Sequence, residues 1–158
     1  MSAKKPPQYW LMKSEPDAFS IDDLKASSNQ TAPWDGVRNY QARNYIRDEM
    51  KIGDLAFFYH SSCKVPGIVG LMEIVKPPYP DPSALNPKSP YYDPKSTILN
   101  PRWFMVDVKL KQKFEHPLSL ELLKSNPKLK GFKLLSRGNR LSILPVDSPY
   151  LKTILAMI

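Results

Sequence analysis

Polar and aromatic side chains able to do chemistry gather in four stretches of this 158-residue chain. They are Lys13-Ser14-Glu15-Pro16, the run from Trp34-Asp35-Gly36-Val37-Arg38-Asn39 to Asn44, Phe57-Phe58-Tyr59-His60-Ser61, and Arg137-Gly138-Asn139-Arg140. Asp35-Gly36 favours an exposed turn, which puts Trp34 near a rim. A rim aromatic beside cations suits stacking on a nucleobase, worth roughly 1–3 kcal/mol per base. It equally suits covering one end of a barrel. The scattered glycines form no phosphate-cradling loop, and neither a nucleophile elbow nor His-Glu-x-x-His occurs. His60 and His116 stand apart, so no metal site is expected. Lys64 beside Cys63 would favour a thiolate, but without a clear general base the thiol reads as unreactive. Asp22-Asp23 and Asp48-Glu49 are adjacent pairs that cannot share a helix face. They read as solvated charges, not as acid–base dyads.

The elements that must position these stretches read as a mixture of helix and strand. Tyr9 to Lys13 is a short strand running into Ser14-Glu15-Pro16. Ser20, with Asp23 three residues later, predicts an N-capped helix. Asn39 to Met50 reads as a helix, with Ala42, Tyr45, Ile46 and Met50 inward and Arg43 and Arg47 outward. Leu55 to Tyr59 and Gly67 to Val75 read as strands. Eight prolines between Pro77 and Pro101 exclude a helix or a central strand there. That segment is either a functional loop or a stiff linker. Arg102 to Lys113 alternates cleanly, with Phe104, Val106, Val108 and Leu110 on one face. Ser119 would cap a helix reaching Lys124, and Leu141 to Leu144 would form a last strand. Ser148-Pro149 would open a final helix by serine cap and first-turn proline, with a stripe of Leu151, Ile154, Leu155 and Ile158. No βαβ rhythm is present, which favours an α+β fold around a small barrel.

Length and composition bound the rest. At ~100–200 residues per domain, the chain is one domain, expected over residues 9–158 behind a flexible tail at 1–8. Hydrophobic residues make up 42% and charged residues 24%, which excludes disordered and fibrous classes. No apolar run approaches the ~18 residues of a membrane span, and no apolar signal core follows the basic N-terminus. The single cysteine, Cys63, excludes an internal disulfide and a multi-cysteine zinc site. The net charge is +8, and residues 101–140 hold ten basic and three acidic side chains. A localised positive field points to a polyanionic partner; the alternative is a solvated surface that favours solubility.

Tyr9-Trp10-Leu11-Met12-Lys13-Ser14-Glu15-Pro16 and the Trp34 to Asn44 run closely resemble the EVE domain family. So do Phe57 to Ser61, Pro66-Gly67-Ile68, Tyr91-Tyr92-Asp93-Pro94-Lys95, Asn100-Pro101-Arg102-Trp103 and Arg140-Leu141-Ser142. The resemblance runs from about Tyr9 to the C-terminus. It implies a PUA-like fold, a mixed β-barrel flanked by short helices, related to YTH and ASCH domains. It also implies a non-catalytic module that reads a modified base, 5-methylcytosine or 5-hydroxymethylcytosine in DNA. The Lys-Ser-polar pattern shared with YTH domains falls on Lys13, Ser14 and Glu15, and the YTH cage tryptophan falls on Trp34.

Reading one base requires extruding it. Trp34 would stack on it, with Tyr59 or Trp103 closing the cage. Glu15 would accept from the exocyclic amine of cytosine, while Ser14 and Asn39 bond the remaining edge. Arg38, Arg43, Lys64, Arg137 and Arg140 would hold phosphates. No cofactor, metal or membrane is expected, and a monomer is expected, cytoplasmic in a bacterium or nuclear in a eukaryote. DNA is preferred to RNA as partner. An RNA-binding module and a hydrolase of modified nucleosides are the alternatives. For Lys13, Glu15, Arg38 and Arg140, internal ion pairs locking the barrel end are the competing reading.

Overall fold

A computed structural model describes residues 6–158. Residues 1–5 of the expected tail lie outside this range, whereas Gln8 already hydrogen-bonds Leu55 and Asp54. Six strands form one mixed sheet in the order β2-β5-β4-β3-β1-β6. They are β1 (Tyr9–Ser14), β2 (Thr31–Pro33), β3 (Leu55–His60), β4 (Gly67–Pro80), β5 (Phe104–Ser119) and β6 (Ile143–Pro145). Four helices accompany them: α1 (Ile21–Ala26), α2 (Tyr40–Asn44), α3 (Leu120–Ser125) and α4 (Ser148–Met157). This is the expected α+β class, with the strand order now defined. β1 and β3 run parallel; the other neighbours are antiparallel.

The central strands are buried on both faces, so their alternation feeds two cores. Trp10, Met12, Ala56 and Phe58 fill one with Trp34, Ile46 and Val106. Leu11, Phe57 and Tyr59 fill the other with Leu123, Leu144 and Ile154. In β5 the face changes midway. Val106, Val108 and Leu110 enter the first core, but Phe114 and Leu118 enter the second. A register shift against Leu71 and Met72 of β4 turns the strand over, as a bulge does. The simple alternation therefore stops at Leu110, and the strand itself does not.

Three further expectations change. β4 runs through Pro77 and Pro78 to Pro80, inside the segment expected to exclude a central strand. Beyond Glu73 it has no register with β3, and its register with β5 skips from Lys76 to Tyr79. Pro77 and Pro78 thus occupy a one-sided, bulged stretch outside the register of either neighbour. The Asn39–Met50 helix is α2 with its Asn39 cap, but Tyr45–Glu49 continues as a π-turn. The last helix is capped by Asp147, with Ser148 already inside it, and its inward side is Tyr150, Leu151, Ile154 and Met157. Leu155 and Ile158 are exposed. The capping box of α1 is as predicted: Ser20 and Asp23 exchange side-chain and backbone hydrogen bonds.

Candidate functional site

A concavity of about 690 Å³ opens where β1 ends. That size suits a small molecule or one nucleotide. Its walls come from Lys13, Ser14 and Glu15, from Phe19 in the following turn, and from the Trp34 to Asn39 loop between β2 and α2. Tyr91 of the proline-rich loop closes one side. The Ser14 hydroxyl donates to the Phe19 carbonyl at 2.7 Å, leaving its lone pairs as acceptors. Lys13 and Glu15 form no ion pair among the described residues, nor does Arg140. The internal lock expected as an alternative for these three is thus not formed. Burial holds the Lys13 ammonium below its ordinary pKa.

Trp34 is not a rim aromatic. It is 6% exposed and packs edge-on against Phe58 at 5.2 Å and Phe19 at 6.4 Å. The physical reason is its backbone N–H, which extends the β2–β5 ladder to the Val106 carbonyl at 2.8 Å and directs the side chain into the first core. Its indole N–H has no acceptor among the described residues, yet no enclosed side-chain nitrogen is left unpaired. The N–H therefore keeps an opening to solvent, in a residue that borders the concavity. Trp34 thus borders the concavity as an enclosed ring, not as a free stacking face.

The loop from Trp34 to Asn39 is pinned by Asp81, whose side chain is 0% exposed. Its Oδ2 accepts from the Gly36 N–H at 2.9 Å and from Arg38 Nη1 at 3.2 Å. Its Oδ1 accepts from the Ser83 N–H at 2.8 Å and hydroxyl at 2.6 Å. Burial alone would raise the Asp81 pKa, but these donors outweigh it and hold the carboxyl below its ordinary value. Gly36 sits at φ +76°, and a Cβ there would lie 2.6 Å from the Tyr91 ring. Only glycine meets both demands. Burial, with Asp81 nearby, pushes the Asp35 carboxyl up. Asn39 Oδ1 caps α2 by accepting from the Ala42 N–H at 3.0 Å, which leaves its amide free to donate.

The structure gathers Lys13, Ser14, Glu15, Trp34, Arg38 and Asn39 around this concavity. Arg38 also joins Trp103 and Arg43 in a column of cations and rings. Arg43 lies 4.8 Å from the Tyr40 ring, Tyr40 stacks on Trp103 at 4.9 Å, and Arg38 lies 5.2 Å from Trp103 and 5.5 Å from Tyr91. The Trp103 indole N–H donates to Asp93 at 2.7 Å. Arg38 also donates to the Tyr91 carbonyl and Ser83, and Arg43 to the Arg102 carbonyl and Asn44. Arg38 spends all three of its nitrogens internally and Arg43 spends Nε and Nη1, so both fasten the proline-rich loop, and Trp103 does not reach the concavity. Tyr59 and Arg137 border a second concavity of about 620 Å³, which shares Lys13 with the first. Lys64 and Arg140 are exposed and border neither.

Phe19, Asp35, Tyr91 and Ser142 also line the first concavity. Asp35, Tyr91 and Ser142 lay within quoted motifs and could have been found there; Phe19 gave no local signal. No group of three His, Cys, Asp or Glu arranged for a metal occurs among the described residues. No helix among them is long and apolar enough to cross a membrane.

Comparison with known proteins extends this picture. The sequence model of the EVE domain matches residues 8–157. Mouse thymocyte nuclear protein 1 is 48% identical over 166 residues, covering 94% of this chain and 73% of that protein. A Pseudomonas syringae crystal structure superposes with TM-score 0.89 at 50% identity, covering 94% of this chain and 98% of that one. The crystal structure of human THYN1 protein in complex with 5-methylcytosine containing DNA superposes with TM-score 0.89 at 46% identity, covering 95% and 96%. Sequence and backbone thus agree across nearly the whole length, and the chain belongs to the EVE domain family.

Proposed function

We propose that this chain binds DNA as a monomer and reads 5-methylcytosine by drawing that base into the concavity at the end of β1. The observation that carries the reading is the composition of that concavity. Lys13 and Glu15, without ion pairs among the described residues, the Ser14 lone pairs, the Asn39 amide and the Trp34 N–H stand beside apolar Phe19 and Val37. A relative of the same fold has been crystallised with 5-methylcytosine containing DNA, which supports the choice of partner.

Cytosine offers one donor and two acceptors along its pairing edge. Glu15 accepts from the exocyclic amine, the usual role of a carboxylate facing cytosine. The Asn39 amide and the Trp34 N–H donate to the ring nitrogen and carbonyl. Extrusion costs a few kcal/mol, which these bonds must return. A methyl group against apolar Phe19 or Val37 adds about 0.8 kcal/mol, a preference of roughly fourfold over cytosine. Selectivity for the methyl alone is therefore modest, and a polar partner would sharpen it for a hydroxymethyl group.

The test is a titration of matched DNA and RNA oligonucleotides carrying cytosine, 5-methylcytosine, 5-hydroxymethylcytosine, adenine or methyladenine. Preference for methylated cytosine in DNA is expected, and Trp34→Phe should weaken binding of both cytosines relative to adenine. Phenylalanine keeps the core filled while removing the N–H; alanine would leave a cavity costing about 3–5 kcal/mol and confuse the result. Equal affinity for every oligonucleotide overturns the reading. Tighter binding to RNA moves it to an RNA module, and turnover of free nucleoside that Glu15→Ala abolishes makes the protein a hydrolase.

A further inference from the structure

The second concavity carries its own chemistry. It lies across Lys13 from the first and is bordered by Tyr59, Lys124 and Arg137, with no acidic side chain in its wall. Lys13, Lys124 and Arg137 form no ion pair among the described residues. Lys111 and Lys113, from the same basic quarter of the sequence, are matched with Glu73 and Asp22. Three cations without an acidic partner therefore face this hollow, whereas two of the lysines of β5 are neutralised.

Tyr59 supplies the second, independent observation. It is 3% exposed, and its hydroxyl has no partner among the described residues, although no enclosed side-chain oxygen is left unpaired. The hydroxyl therefore keeps an opening, and the concavity is what Tyr59 borders. In a side chain this enclosed, the one polar atom left without a protein partner is free to donate to a ligand in the concavity. Burial, then the nearby Cys63, pushes the phenol up to about 12, so it remains a donor. One enclosed O–H donor beside two lysines and an arginine fits an anion whose charge is spread over several oxygens.

We propose that this concavity is a phosphate subsite, in which Tyr59 Oη and the Arg137 guanidinium hold the phosphodiester next to the extruded nucleotide, with Lys13 as the divide between base and backbone. The inference deepens the DNA reading above and rests on it. Of the side chains first assigned to the base, Tyr59 belongs to the backbone.

The test uses Tyr59→Phe and Arg137→Gln in the full chain, with a duplex carrying one 5-methylcytosine. Tyr59→Phe removes one hydrogen bond to a charged group, so affinity falls about tenfold for methylated and unmethylated DNA alike. The salt dependence stays as in the parent protein. Arg137→Gln lowers affinity and flattens the slope of log affinity against log salt by about 0.9. A neutral methylphosphonate placed at each linkage in turn weakens the parent protein at one linkage beside the modified base. At that linkage it weakens Tyr59→Phe no further. Parental affinity in Tyr59→Phe, or penalties that add at every linkage, overturns the subsite while leaving base preference intact. Loss of methyl preference in Tyr59→Phe returns Tyr59 to the base and also overturns it. A parent protein without methyl preference fails the DNA reading, and the subsite fails with it if DNA is not bound at all.

Discussion

Replacing Asp81 with alanine is the sharpest test of how the fold holds its site. The carboxylate is enclosed and accepts four hydrogen bonds, from Gly36, Arg38 and, twice, Ser83. Removing it leaves the Gly36 and Ser83 N–H groups without acceptors, each costing about 1–3 kcal/mol when buried. Arg38, with 21% of its side chain exposed, keeps the Val37 and Tyr91 carbonyls and partial access to water, so its own loss is smaller. The total should match the roughly 3–5 kcal/mol seen when one partner of a buried pair is removed. At about 2–4 °C per kcal/mol for a domain of this length, the melting temperature falls by roughly 6–20 °C. Urea denaturation should show a lower midpoint at an unchanged m-value. Because the Gly36 loop loses its anchor, affinity for methylated DNA falls as well. A stability loss below about 1 kcal/mol would refute the reasoning, since that is the cost of a surface change.

Three further outcomes follow from the same geometry. Asp81 has a lowered pKa in the folded state, so its contribution is present above the ordinary carboxylate value of about 3.9 and is lost as pH falls through the folded value. Asp81→Asn should flatten that part of a stability–pH curve in acid denaturation. His60 accepts from the Ile21 N–H through Nε2, and burial lowers its pKa, so stability should decline as pH drops below about 6.5. His60→Gln should remove that decline in thermal melts between neutral and mildly acidic pH. Gly36→Ala places a side chain at φ +76° against the Tyr91 ring and should cost about 1–3 kcal/mol in chemical denaturation, with weaker DNA binding.

Much of the scaffold was legible because local signals agreed with it. Ser20 and Asp23 wrote out a capping box, and the alternation of Phe104 to Leu110 wrote out a strand. The continuation of β5 to Ser119 was not legible, because a register shift set by β4 reverses which face is buried. Of the candidate site, Lys13, Ser14, Glu15, Trp34 and Asn39 meet around one concavity, and both stretches had been singled out. Trp34 was misjudged in orientation. Asp-Gly predicted the turn correctly, but a single backbone hydrogen bond to Val106 decided where the ring went. Arg38 was misjudged for a different reason. Sequence shows charge, while the carbonyls and rings that consume it belong to a loop some fifty positions away, as in Arg38 to Tyr91.

The parallel alignment of β1 with β3 has a geometrical consequence. Lys13 sits opposite Tyr59 and Ser14 opposite His60, so both strands stop at the same border of the sheet. The pleat then sends the first couple to one side and the second to the other: Lys13 stands over Tyr59 at 6.0 Å, while Ser14 and His60 tie down Phe19 and Ile21. Two neighbouring chambers with a common wall arise from that one arrangement. Had these strands formed a hairpin, their final residues would lie at opposite borders, and one lysine could not serve both.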